Sequence, residues 1–215
     1  MAGPDASAVT GEARKLGFSL DAPAAEALAA YLGLLERWNR RTNLVGRKGW
    51  RDVLRHLAAD SLHLAGFLDE LDLPDSPLTL DLGAGAGLPG LPLRTLWQEG
   101  EYILVEVREK RAGFMRSALA RMTLPRTTVF QGRAEDVLAE RSPDRKADII
   151  LGRAFMPWRE LLDFVRPMLS EQGVVLILSN DPVPSDMPSG WIALKSRLYK
   201  VSGAERHFWV LSPHR

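Results

Sequence analysis

The sequence predicts a doubly wound α/β domain preceded by helices. Three observations carry that reading. Short apolar runs alternate with amphipathic stretches from Leu78 to Ser179, three alternate glycines follow the first of those runs, and two long strand-like runs close the chain. A length of 215 residues with 46% hydrophobic content suits one such domain plus an appendage. The boundary falls at Pro77: residues 1–76 read as a small N-terminal helical subdomain and residues 77–215 as the sheet domain.

Residues 1–18 are small and polar without a convincing period, and are expected to be a loosely ordered lead. From Asp21, an N-cap with Pro23 in the first turn, Leu28, Tyr31 or Leu32, Leu35 and Trp38 recur at helical spacing. The helix runs into Trp38 to Gly46, WNRRTNLVG, where asparagines and Gly46 favour a loop. A second helix is predicted from Trp50 to Leu71, with Leu54, Leu57, Leu64, Leu68 and Leu71 on one side. His56, Asp60 and His63 share one of its faces; with no fourth ligand, an interface hydrogen-bond cluster is the better reading than a metal site.

The strands follow in order: Leu78–Leu82, Tyr102–Val107, Thr127–Gln131, Ala147–Leu151 and Val174–Ser179, then a terminal hairpin near Trp191–Val201 and His207–Ser212. Helices are expected after the glycine loop at Pro89 to Trp97, at Lys110–Met122 and at Trp158–Leu169. The sheet is therefore mostly parallel and closed by an antiparallel pair.

The chemistry starts at LTLDLGAGAGLPG, Leu78 to Gly90. Gly83, Gly85 and Gly87 remove the Cβ atoms that would hold a ligand away, and Asp81 stands two residues ahead of them. A dinucleotide fingerprint needs a glycine where Leu88 stands, so a pyrophosphate site is disfavoured. Acidic-x-Gly-x-Gly-x-Gly resembles the first motif of class I S-adenosylmethionine (SAM) methyltransferases, and Asp81 suits the methionine part of that cofactor. Glu106 ends the second strand nineteen residues past Gly87, where a carboxylate accepts both ribose hydroxyls of an adenosine. In the fold this motif resembles, the loop after the third strand flanks the adenine, so Ala134 and Glu135 are expected to offer a backbone N–H and a carboxylate to its edge.

Composition narrows the mechanism. The absence of cysteine excludes disulfides, thiolate metal sites, iron-sulfur clusters and a cysteine nucleophile, and with them C5-pyrimidine methylation and radical SAM chemistry. No apolar run approaches a bilayer span, so a cytoplasmic protein is expected. Net charge is only +1, yet Arg37, Arg40, Arg41, Arg47, Lys48, Arg51 and Arg55 face a single acid, Asp52, and a second basic run extends from Arg108 to Arg126. Either run is a solvated helix face or a nucleic-acid footprint.

In combination the motifs resemble one family, the bacterial RsmG (GidB) 16S rRNA methyltransferases. They are WNRRTNL at Trp38 to Leu44, His56 followed by Asp60-Ser61, DLGAGAGLPGLPL at Asp81 to Leu93, EVREKR at Glu106 to Arg111, RAE at Arg133 to Glu135 and RAF at Arg153 to Phe155. The chain departs from the family pattern in three places. The spacing from His56 to Asp60-Ser61 is one residue longer, Val45 replaces a threonine, and Ser179 and Asn180 replace a lysine-glycine pair.

The resemblance implies a class I methyltransferase fold and transfer of a methyl group from SAM to N7 of a guanine in 16S rRNA, as naked RNA, precursor or 30S subunit. It implies that Gly83, Leu88, Ala134, Glu135 and Arg153 line the cofactor site, beside Asp81, Gly85, Gly87 and Glu106 read from the motif itself; Arg153, Lys110 and Arg111 are expected to position the substrate, and no metal is expected. A monomer is expected. Three alternatives stay open on the residues alone: a methyltransferase for another RNA or a protein, a non-catalytic SAM-sensing RNA-binding protein, and a nicotinamide oxidoreductase.

Overall fold

The computed structural model describes residues 3–214. Seven strands form one sheet: β1 (Leu78–Leu82), β2 (Glu101–Glu106), β3 (Thr127–Gln131), β4 (Ala147–Gly152), β5 (Leu169–Ser179), β6 (Trp191–Val201) and β7 (Ala204–Pro213). Their order is β3-β2-β1-β4-β5-β7-β6; β1 to β5 are parallel, and β7 runs antiparallel to both β5 and β6. Strand order reverses between β1 and β4. In an open α/β sheet the crevice outside the carboxyl ends of the strands at that reversal is where ligands sit.

Alternation along the strands explains why both faces are covered. Tyr102 and Leu104 of β2, Ile149 and Leu151 of β4 and Val174 and Leu176 of β5 join one core. Their neighbours Ile103, Val105, Ile150, Val175 and Ile177 join a second. The first core is packed by α1 (Ala6–Lys15), α2 (Ala22–Thr42), α3 (Trp50–Val53), α4 (Ala59–Leu68) and α6 (Glu109–Leu119), the second by α7 (Val137–Arg141) and α8 (Trp158–Val165). One-turn α5 (Gly90–Leu93) follows the glycine loop. Each fully buried leucine or phenylalanine contributes about 1.5–3 kcal/mol.

Three differences from the sequence reading have physical causes. Residues 6–15 are helical rather than a loose lead: Asp5 caps α1 by accepting from the Ala8 N–H at 2.7 Å, and Val9 and Ala13 are buried. The period is hidden because small residues and the buried acid Glu12 form the packed stripe; Glu12 accepts from Arg55 Nε at 2.7 Å. The expected Trp50–Leu71 helix ends at Leu68, and its middle, Leu54–Ala58, is a π turn in which the Ala59 N–H bonds to the Leu54 carbonyl. β5 starts at Leu169, earlier than Val174, and the expected helix before it closes in a short 3-10 turn, Arg166–Met168.

Arg94, just past α5, is fully buried without a carboxylate partner. It donates to the carbonyls of Trp97, Gln98, Glu99, Gly100 and Pro125 and to Thr127 Oγ1, at 2.7–3.3 Å. Burial pushes its pKa down to about 10, and the five carbonyls replace the water it has lost. These bonds hold together the entries to β2 and β3.

Candidate active site

At the carboxyl ends of β1, β2, β3 and β4 lies a cavity of about 400 Å³, lined by Gly83, Val105 to Arg108, Arg111, Gly132 to Glu135, Ala154 and Phe155. Larger hollows of about 630 and 550 Å³ lie against α2, away from the glycine loop. The smaller one is the candidate site because it alone of the three combines that loop with a strand-end acid, Glu106, at the reversal of the sheet.

Its floor is open at Gly83. Gly83 has φ +66°, and a Cβ there would meet Phe155 Cδ2 at 2.7 Å, so no other residue leaves the floor open. Glu106, 4% exposed, faces the loop across β2. Its Oε2 accepts from the Gly85 N–H at 3.0 Å and its Oε1 from the Arg108 N–H at 2.9 Å, while Arg111 Nη1 stands 3.8 Å away. A carboxylate has about four acceptor positions, so two bonds leave capacity for a ligand's hydroxyls. Ala134 and Glu135 close the far wall from the 3-10 turn Ala134–Asp136. The Glu135 carboxylate is drawn back to its own backbone N–H and to Arg133 Nε at 2.6 Å, which hold its pKa low.

Asp81 does not line the cavity. The sequence reading turned its carboxylate toward a ligand's methionine part, whereas its Oδ2 accepts from the Gly90 N–H and the Tyr102 hydroxyl, both at 3.1 Å, and the residue is 1% exposed. It braces the loop from beneath. A Cβ on Gly90 would meet Leu104 Cδ2 at 2.5 Å and Asp81 Oδ2 at 2.6 Å, which explains a glycine there. Burial pushes Asp81 up to about 7, against the opposing pull of the Tyr102 and Gly90 hydrogen bonds and the Arg153 charge.

Arg153 is likewise committed elsewhere. Its Nη2 stands 3.1 Å from Asp60 Oδ2, and its Nη1 donates to the Leu57 carbonyl at 3.5 Å. Asp60, 2% exposed, also accepts from the Tyr199 hydroxyl at 3.1 Å, so one carboxylate ties α4 to β4 and to β6. The interface cluster expected on this helix face is therefore centred on Asp60. His56 turns instead to Asp52 at 3.2 Å, and His63 sits between the rings of Phe18 and Tyr199, at 4.7 and 4.9 Å. Among the described residues no three or more His, Cys, Asp or Glu converge as a metal site.

Of the remaining expected residues, Gly85 and Gly87 shape the loop without lining the cavity, Leu88 packs on the first core, and Lys110 lies exposed on the first turn of α6. Val107, Arg108, Phe155 and Tyr31 contribute without having been expected as site residues. Val107, 62% exposed beside Glu106, gives the cavity an apolar surface, with Arg108 and Phe155 next to it. Tyr31, fully buried in α2, donates its hydroxyl to the Ala86 carbonyl at 2.9 Å and pins the glycine loop from the helical side. A solvent-facing valine next to a strand-end acid was the legible signal; Tyr31 had none beyond helical period.

The first basic run divides. Arg47 pairs with Asp52, and Arg51 and Arg55 with Glu12. Among the described residues Arg37, Arg40, Arg41 and Lys48 have no ion-pair partner. No helix among these residues is long and apolar enough to cross a membrane.

The chain has relatives among known proteins. A relative from Nitratidesulfovibrio vulgaris, described as ribosomal RNA small subunit methyltransferase G, is 54% identical over 200 residues, covering 93% of this chain and 90% of its own. A relative from Oleidesulfovibrio alaskensis with the same description is 44% identical over 208 residues, covering 92% and 90%. Among solved structures, a putative O-methyltransferase from Klebsiella pneumoniae superposes over 97% of both chains with TM-score 0.65 at 15% identity, a likeness of fold alone. The family model for GidB, rRNA small subunit methyltransferase G, matches residues 24–186, and the chain belongs to that family.

Proposed function

We propose that the protein transfers a methyl group from S-adenosylmethionine to small-subunit ribosomal RNA, at N7 of a guanine. The observation that carries the cofactor assignment is Glu106, a buried strand-end carboxylate fixed by the Gly85 and Arg108 N–H groups beside an open glycine floor. The residues fit the group. Glu106 has spare acceptor positions for the ribose hydroxyls, Val107 and Phe155 offer apolar surface to the adenine, and Ala134 and Glu135 flank its edge. When bound, SAM supplies an electrophilic methyl group on a sulfonium.

The protein's work is then to bind and orient. Guanine N7 is an sp² lone pair with no proton to lose, so no general base is required, and the cavity-lining residues include no histidine. Alignment of the attacking lone pair supplies the acceleration. Arg111 and Lys110, on the first turn of α6, stand where they can hold the target nucleotide. Arg153 acts from behind, fixing the end of β4 against α4. N7 lies in the major groove, which in A-form RNA is too deep and narrow to enter, so the target is unpaired or extruded.

The helices of residues 1–76 then serve as the RNA-docking unit on the SAM-binding domain of residues 77–215, with Arg37, Arg40, Arg41 and Lys48 toward phosphates. The reading places a monomer in the cytoplasm, where the substrate is made. Transfer of labelled methyl to naked 16S rRNA, its precursor and the 30S particle, with mapping of the modified base, tests it. Label at guanine N7 in one of them is expected; no label in any, or label at another atom, overturns the corresponding half of the proposal.

A further inference from the structure

The groove of about 630 Å³ between α2 and the end of α6 shares no lining residue with the candidate active site. It is lined by Leu34, Arg37, Trp38, Arg40, Arg41, Thr42 and Arg121. Four of these are arginines and none is an acid. Three other surface hollows each include an acid: Asp21 and Glu26 in one, Glu36 in the second, Glu36 and Asp52 in the third. Arg37, Arg40 and Arg41 have no ion-pair partner among the described residues, and Arg121 donates only to the Ser117 carbonyl, at 2.6 Å. An unneutralised cluster of this kind is an electrostatic footprint for a polyanion.

The groove is also apolar at its base. Trp38 is half-buried and packs edge-on against Phe114, with centroids 5.6 Å apart at 66°, so one side of the indole is supported by the core. Its carbonyl accepts from Thr42 Oγ1 at 2.8 Å, which steadies the last turn of α2. An aromatic supported on one side and ringed by guanidinium groups is the arrangement that stacks a base and grips the phosphates on either side. Arg111 and Arg121 are ten residues apart, which puts the groove about 15 Å along α6 from the active-site end.

We infer that this groove is a second RNA site, which takes an unpaired nucleotide flanking the methylation target, its base against Trp38 and its phosphates on Arg37, Arg40, Arg41 and Arg121. The inference rests on the rRNA reading above and adds to it a single-stranded anchor remote from the reacting atom. It explains why the first basic run keeps its unpaired arginines here.

The test measures binding by anisotropy of a fluorescein-labelled, unstructured RNA of about ten nucleotides, a length within ordinary single-strand site sizes. Wild type is compared with Arg41→Gln/Arg121→Gln, two exposed positions that leave the core alone, and with Trp38→Leu. The arginine pair is expected to lose about tenfold in affinity and to flatten the slope of log K against log salt by about 1.4, the single-strand value for two phosphates. Trp38→Leu is expected to lose about tenfold with the slope unchanged, because stacking carries no counterion release. S-adenosylhomocysteine affinity, read by calorimetry, should stay at wild type in all of them and reports intact folding.

Variants within about twofold of wild type in RNA affinity would overturn the groove assignment, as would a duplex of equal length competing as well as the single strand. Failure of the two readings is separable. A wild-type protein that labels no rRNA, with the variants still losing affinity, sinks the enzymatic reading and keeps the groove; normal methylation with unchanged affinity in the variants does the reverse.

Discussion

Replacing Glu106 with alanine tests the cofactor site most directly, because the same carboxylate is both a strut and a proposed ligand contact. In the free protein it accepts from the Gly85 N–H at 3.0 Å and the Arg108 N–H at 2.9 Å. Each bond to a charged acceptor contributes about 1.5–3 kcal/mol, but water entering the open cavity replaces part of both, leaving a net loss of about 1–3 kcal/mol. For a chain of this size that lowers Tm by about 2–12 °C. Binding loses the ribose contacts in addition, a further 1.5–3 kcal/mol or about 10- to 100-fold. Calorimetric titration with S-adenosylhomocysteine, beside melting curves with and without it, reads both quantities. A lower Tm with unchanged affinity would refute the reasoning, since Glu106 would then be a strut and nothing more. Glu106→Gln refines the result: its amide must place an N–H against either Gly85 or Arg108, so affinity should fall while Tm falls less than in alanine.

Arg153→Lys keeps the charge beside Asp60 but cannot reach Asp60 and the Leu57 carbonyl together, so methyl transfer should fall at least about tenfold and Tm by a few degrees; wild-type values of both would show that charge alone suffices. Asp81 is raised by burial from 3.8 to about 7, so the folded state holds the extra proton between those values; the stability this provides is full below 3.8 and is lost as pH rises to 7. Asp81→Asn removes that slope, and its Tm relative to wild type should climb from pH 5 to pH 8; parallel curves over that range would discard the buried-acid account. For Glu12 burial acts to raise the pKa, but the Arg55 hydrogen bond and charge outweigh it and hold the carboxyl below its ordinary 4.5. The stability it contributes is present above 4.5 and is lost as pH falls through the lowered value, so Glu12→Gln should blunt acid unfolding, seen as a shallower fall of Tm below pH 4.5.

How much was legible in the sequence divides by distance along the chain. The β1-glycine-loop unit and the acid ending β2 are local patterns, since a strand period and alternate glycines need no partner to be read. Ala134 and Glu135 follow from the same alternation of strand and loop. Asp81 looked like a ligand contact because its true partners, Gly90 N–H and Tyr102, are set by the packing of α5 on β2. The commitment of Arg153 to Asp60 spans 93 positions, and that of Glu12 to Arg55 spans 43, so neither leaves a trace in spacing. Helix α1 was missed for the related reason that its buried face is made of small residues and an acid, which a hydrophobic period does not register.

The π turn at Leu54–Ala58 lies where the spacing from His56 to Asp60-Ser61 is one residue longer than the family pattern. A wide turn bonded from Ala59 back to Leu54 stores one residue more than an α-helical turn while the chain stays helical on both sides. Without it, an extra residue would rotate everything downstream by about 100° and carry Asp60 off the face that meets Arg153 and Tyr199. The bulge thus works as a slack loop in a rope: it takes up the odd residue and leaves the knot at Asp60 tied.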